Sequence, residues 1–120
     1  MKILITGCRS QLGLELARQI NGLEARHQLV LTDTTLLDIT DARQVSFFLR
    51  REKPDVVINC AAYTNVDQCE KDQYRAFRVN ALGADNLAVS SFKIGSKIIH
   101  ISTDYVFDGA VNQPYREDDE

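Results

Sequence analysis

Lys2 to Thr6 is a short run, rich in isoleucine and leucine, with little alternation of polar and apolar positions, the pattern of a strand buried on both faces of a parallel sheet. Gly7 breaks the run. From Gln11 the apolar positions fall at intervals of three and four, at Leu12, Leu16, Ala17 and Ile20, one face of a helix that Asn21-Gly22 can close. Gln28 to Leu31 predicts a second strand. A second helix starts at Asp41, where Gln44 completes a capping box, and Val45, Phe48 and Leu49 form its inner stripe. Pro54 stops that helix, and Val56 to Asn59 predicts a third strand whose β-branched content suits a central position. After a small-residue loop, Tyr74, Phe77, Ala81, Ala84, Ala88 and Ser91 mark the packed face of one long helix over about 74–93, ended by Gly95. Lys97 to Ser102 predicts a fourth strand.

Strands alternating with helices point to the α/β class and a Rossmann-like, doubly wound parallel sheet, here its N-terminal part, with strand order 3-2-1-4 expected. Such a sheet takes its ligand at the carboxyl edge, where by this order the first and fourth strands diverge. Residues 1–107 then form one dinucleotide-binding domain. Residues 108–120, acidic and without apolar periodicity, read as a loop or tail.

The 120 residues are 44% hydrophobic and 26% charged, a balance that suits one globular core. A net charge of −3 with scattered Lys and Arg offers no footprint for nucleic acid or an anionic membrane. No apolar run is long enough to span a bilayer and the first strand begins without a leader, so the expected location is cytoplasmic. Cys8, Cys60 and Cys69 lack CxxC spacing, which favours free thiols over disulfides or metal ligands, and no metal site is expected.

The chemistry concentrates in the turn Thr6-Gly7-Cys8-Arg9-Ser10-Gln11-Leu12-Gly13, between the first strand and the first helix. A glycine-rich loop in that context aims unpaired helix N–H groups at a pyrophosphate. Gly7 allows a tight turn and Gly13 close packing. As plain structure, Ser10 is a helix N-cap and needs no ligand. Asp33 follows Gly13 by 20 positions, at the end of the second strand, where a carboxylate accepts from both ribose hydroxyls and repels a 2′-phosphate. Arg9 lies in the loop nearest that ribose and can pair a 2′-phosphate. The cofactor is therefore NADH or NADPH, with NADH preferred on Asp33.

Five segments appear in order: the glycine loop, Leu37 to Asp41, Asp55 to Asp67, Val79-Asn80-Ala81, and Ile101 to Gly109. Together they resemble the dTDP-4-dehydrorhamnose reductase family of extended short-chain dehydrogenases, over essentially the whole chain. Ser10 stands where such enzymes usually have glycine; a left-handed backbone there would carry a conformational cost, with its hydroxyl and N–H expected to hydrogen-bond the phosphate in return. The resemblance implies that Asp38 accepts from the adenine amino group and Ile39 covers its ring. It also implies that Ala61 and Ala62 let the dinucleotide lie against backbone, that Tyr63 lines the nicotinamide-ribose side, and that Asn80, as a buried support, bonds to the fourth strand or the Ala61 loop. Thr103 would hydrogen-bond the sugar carbonyl that receives hydride, with Asp104 and Tyr105 beside it on the substrate.

The implied reaction is reduction of the C4 ketone of dTDP-4-dehydro-β-L-rhamnose to dTDP-L-rhamnose, in bacterial polysaccharide precursor synthesis, by a cytoplasmic enzyme whose full-length form is a homodimer. The family's proton donor is a tyrosine followed four residues later by lysine. Here Tyr63, Tyr74, Tyr105 and Tyr115 are followed at that offset by Asp67, Arg78, Gly109 and Asp119. The chain is thus expected to stop short of that pair, and by itself to be inactive. Two alternatives stay open on the same residues: another NAD-dependent nucleotide-sugar epimerase or dehydratase, and a non-catalytic regulatory subunit like the β subunit of methionine adenosyltransferase.

Overall fold

The structure, a computed structural model, describes residues 1–23, 27–103, 106–110 and 112–116. Four strands, β1 (Lys2–Thr6), β2 (Gln28–Thr32), β3 (Val56–Asn59) and β4 (Lys97–His100), form one parallel sheet. Between them run α1 (Gln11–Gly22), α2 (Ala42–Glu52), α3 (Val66–Lys71), α4 (Gln73–Phe77), a π-turn (Arg78–Leu82) and α5 (Gly83–Ile94). No helix among the described residues is long and apolar enough to cross a membrane.

The parallel α/β architecture is the expected one, but the strand order is β2-β1-β3-β4 rather than 3-2-1-4. The expected order would have left β3 outermost, beyond β2. Yet Val57 and Asn59 of β3 are buried, whereas β2 exposes Gln28 and Leu31, so β3 gains more from a central place and β2 serves as the edge. The chain accordingly reverses direction after β2 and crosses β1. Right-handed crossovers then place α1 on one face of the sheet and α2 and α5 on the other.

Both faces are packed by the alternation of side chains along β1. Leu4 joins Leu37, Val45, Phe48, Leu49, Val57 and Leu87 beneath α2 and α5, while Ile3 and Ile5 meet Ala17 and Cys60 on the α1 side. Asp41 caps α2 through Arg43 and Gln44 N–H as the capping box predicts, but the Gln44 side chain accepts from Asp38 N–H rather than from Asp41. The long helix differs more. Its predicted packed face holds at Ser91, which is buried, and in part at Ala84, but fails at Tyr74, Phe77, Ala81 and Ala88, which are exposed; Gly83, Leu87 and Ser90 are buried instead. The π-turn, closed by an i→i+5 bond from Gly83 N–H to Arg78 O, shifts the helix phase by one residue, and no single α-helical stripe runs through it.

Candidate functional site

Reversal after β2 moves the crevice from between the first and fourth strands to between β1 and β3, whose following loops leave toward opposite faces. Gly7, directly after β1, has φ +64, and a Cβ there would stand 2.6–2.7 Å from Ala61 N, Ala61 Cα and Cys60 C. The two loops therefore touch through backbone, and only glycine fits between them. At Gly13 a Cβ would meet Gly7 O at 2.5 Å, so this glycine packs the helix onto the loop itself.

Ser10 does not take the left-handed backbone considered from sequence. Its φ of −69 and ψ of 161 are extended, its Oγ caps α1 by accepting from Gly13 N–H at 3.1 Å, and its N–H, expected on the phosphate, donates instead to Gly7 O at 2.9 Å. Serine thus replaces glycine here without backbone strain, and the N–H groups of Gln11 and Leu12 remain as the open donors of the first turn. They face the end of the sheet at which an anion would meet a helix N-terminus.

Gly7, Arg9, Asp33, Asp38, Ile39, Ala61 and Ala62, all anticipated as cofactor residues, line one cleft of about 280 Å³ together with Thr34, Thr35, Leu37, Thr40 and Val79. Within it Arg9 Nε lies 2.6 Å from Asp33 Oδ2, the arginine side chain 78% exposed and the carboxylate 16%. The Thr35 hydroxyl and N–H both donate to Asp33 Oδ1, at 2.6 and 3.0 Å. These two donors, with Arg9 adding its charge, hold the Asp33 carboxyl below the usual carboxylate range. On the far wall Asp38 Oδ1 accepts from both Thr40 N–H and Thr40 Oγ1.

Tyr63 and Asn80 stand outside this cleft but are joined to each other. Asn80 Oδ1 accepts from Tyr63 N–H at 2.8 Å and its Nδ2 donates to Tyr63 O at 3.0 Å. The expected bond to the Ala61 loop is present, although Asn80 is exposed rather than buried. Thr103 lies exposed on the segment after β4, which ends at His100 instead of Ser102; Asp104 and Tyr105 lie outside the described residues. Cys60 is buried, which pushes its thiol above its ordinary range, and Cys8 and Cys69 are partly exposed; all three are free.

Sequence reasoning passed over Asn59. It ends β3 in register with Thr6 of β1 and His100 of β4, and it is 1% exposed. Its Oδ1 accepts from Thr6 Oγ1 at 2.6 Å and from Ala61 N–H at 3.1 Å, and its Nδ2 lies 3.0 Å from His100 Nδ1. One side chain thus ties the ends of three strands to the loop beneath the cleft. The available signal was a polar residue ending each of three apolar strands, at Thr6, Asn59 and His100.

Comparison with known proteins agrees with this geometry. The RmlD substrate binding domain model matches residues 1–120. The spore coat polysaccharide biosynthesis protein SpsK of Bacillus subtilis is 46% identical over 98% of this chain and 41% of its own length. A dTDP-4-dehydrorhamnose reductase of Mycobacterium tuberculosis is 44% identical over 99% of this chain and 39% of its own. Among solved structures, the dTDP-4-dehydrorhamnose reductase of Clostridium acetobutylicum superposes with a TM-score of 0.90 at 47% identity, covering all of this chain and 42% of that one. The Bacillus anthracis reductase, solved in complex with NADP, gives 0.84 at 43% identity, over 92% of this chain and 39% of that one. The chain spans about 40% of the length of these relatives. With its glycine loop, its β1/β3 crevice and a family match along residues 1–120 in agreement, the chain belongs to the RmlD substrate-binding-domain family.

Proposed function

We propose that residues 1–107 are the dinucleotide-binding part of an NAD(P)H-dependent reductase that converts the C4 ketone of dTDP-4-dehydro-β-L-rhamnose to the alcohol of dTDP-L-rhamnose. The observation that carries this reading is the convergence of Gly7, Arg9, Asp33, Asp38, Ile39, Ala61 and Ala62 on one cleft beside the open N-terminus of α1. When bound, the nicotinamide would supply the hydride to C4, and the tyrosine that the family uses as proton donor would, in the complete protein, supply the proton to the C4 oxygen. This chain's residues bind and orient: the Gln11 and Leu12 N–H groups take the pyrophosphate, Asp33 the adenosine ribose, Asp38 and Ile39 the adenine. Ala61 and Ala62 keep the passage toward the nicotinamide clear, with Tyr63 on its ribose side held by Asn80. Thr103 donates to the reacting carbonyl oxygen, where a hydroxyl stabilises the developing alkoxide, and Asp104 and Tyr105 contact the sugar.

NADH is the preferred cofactor in this reading. Asp33 is fixed by Thr35 and largely enclosed, whereas Arg9 is mostly in solvent and must leave Asp33 before it can pair a 2′-phosphate. The protein is cytoplasmic, and its complete form a homodimer acting on a nucleotide sugar. Titration calorimetry with NADH and NADPH is the first test: binding of both, NADH more tightly, supports the reading, and absence of both overturns it. Turnover of dTDP-4-dehydro-β-L-rhamnose by the complete protein tests the reaction. There Thr103→Val should lower kcat by about 10²-fold, as loss of one oxyanion donor does, with little change in NADH affinity; unchanged turnover rejects the contact.

A further inference from the structure

The helix that carries Asn80 also grips the loop on the opposite wall of the cleft. Gly83 packs so closely on that loop that a Cβ would stand 2.7 Å from Ile39 Cδ1 and Cγ1, and Asn86 Nδ2 donates to Ile39 O at 2.9 Å. One turn earlier, Arg78 Nη2 donates to Thr40 Oγ1 at 2.9 Å, and that hydroxyl donates its single proton to Asp38 Oδ1 at 2.8 Å. The directions are consistent, because a hydroxyl can accept from a guanidinium while it donates to a carboxylate. Thr40 N–H also donates to Asp38 Oδ1, at 2.9 Å, which leaves Oδ2 as the acceptor for a ligand amino group.

Arg78 reaches Thr40 because of the π-turn that begins with it. Successive α-helical residues are rotated by ~100°, so without the extra residue Arg78 and Asn80 would turn by about that angle away from their partners while Gly83 and Asn86 stayed in place. Inserted residues of this kind recur where a helix must serve a site. Here the insertion lets one helix hold Thr40 and Ile39 on one side and Tyr63 on the other.

We infer that Arg78 is a positioning residue for adenine recognition: acting through Thr40, it fixes the Asp38 carboxylate so that Oδ2 meets the adenine amino group. This deepens the dinucleotide reading and rests on it. The test compares NADH with its hypoxanthine analogue, which carries oxygen in place of that amino group, in the wild-type protein and in Arg78→Met and Arg78→Lys. The wild type should prefer the adenine cofactor by about tenfold, the size of one hydrogen bond to a charged group. Arg78→Met should lose most of that preference by weakening NADH alone, and Arg78→Lys, which keeps a donor, should restore part of it. Thermal stability should stay within a few degrees throughout, as for an exposed side chain. Equal weakening of both cofactors by Arg78→Met, or an undiminished preference for adenine, overturns the role of Arg78 while leaving the dinucleotide reading intact. A wild type that binds neither dinucleotide removes both.

Discussion

The two ends of the sheet carry concavities that differ in size and character. At the amino end, Arg50, Lys53, Pro54, Asp55, Ile94, Gly95 and Lys97 line an open hollow of about 770 Å³, against about 280 Å³ for the cleft at the carboxyl end. The larger one gathers the C-terminal ends of α2 and α5, whose carbonyls carry partial negative charge, and its lysines and arginine complement those ends. The smaller gathers a helix N-terminus, an anchored carboxylate and two loops in backbone contact. Volume is therefore a poor guide here; the polarity of the helix ends and the closeness of the backbone distinguish the two.

The sharpest way to break that comparison uses two glycines of similar conformation. Gly7 and Gly95 have φ of +64 and +71, but a Cβ on Gly95 would meet nothing within 4 Å, while one on Gly7 would overlap the Cys60–Ala61 backbone. Gly95→Ala should cost about 1 kcal/mol, the left-handed penalty alone. Gly7→Ala should cost about 3 kcal/mol or more and reduce NADH affinity by at least ~100-fold, because the loops must separate. Urea unfolding and calorimetry measure both; equal effects at the two sites would show that the contact between the loops is unimportant.

Asn59→Ala comes next. It removes the acceptor of the buried Thr6 hydroxyl and of Ala61 N–H, so a loss of about 2–3 kcal/mol is expected, again read from urea unfolding. Weakened NADH binding should accompany it, since Ala61 forms part of the cleft. A loss below ~0.5 kcal/mol, the range of ordinary surface substitutions, would mean that the strand ends do not depend on this side chain.

Asp33→Ala should weaken NADH by about tenfold and NADPH by less, because it deletes the ribose acceptor and frees Arg9 for a 2′-phosphate. Equal losses would reject the role of Asp33. The same residue gives a pH test. Its folded-state pKa is lowered, so the stability it contributes is present above the unfolded value of ~3.9 and is lost as pH falls through the lower folded value. The acid limb of unfolding should flatten in Asp33→Asn.

What could be read from the chain beforehand divides along the same line between local and non-local causes. The glycine loop, the carboxylate directly after β2 and the cap at Asp41 were legible because each depends on a few neighbouring residues. The strand order depends on which edge of β1 accepts β3, a choice made by burial across the whole sheet; the β-branched content of β3 had already pointed to a central place, against the order expected. The short helix α3 follows directly on the small-residue loop and was read as part of it, although Asn65, which caps it by accepting from Gln68 N–H, and Asp67 in its first turn were available signals. The π-turn had no signature in apolar spacing, because one inserted residue only blurs a period of three and four.

The smallest effect lies at the amino end and tests its indifference to the cofactor. Lys53 follows α2 with φ 46 and ψ 56, a left-handed conformation at an exposed residue whose N–H donates to Leu49 O. Glycine is the usual residue in that role, and removing the Cβ relieves the steric penalty while the backbone bond remains. Part of the gain is offset by the greater freedom of glycine in the unfolded chain. Lys53→Gly should therefore raise stability by about 0.5–1 kcal/mol. NADH affinity should be unchanged, although the substitution removes a cation from the larger hollow. A fall in affinity of more than a few-fold would bring that basic surface into cofactor binding and remove the distinction between the two ends of the sheet.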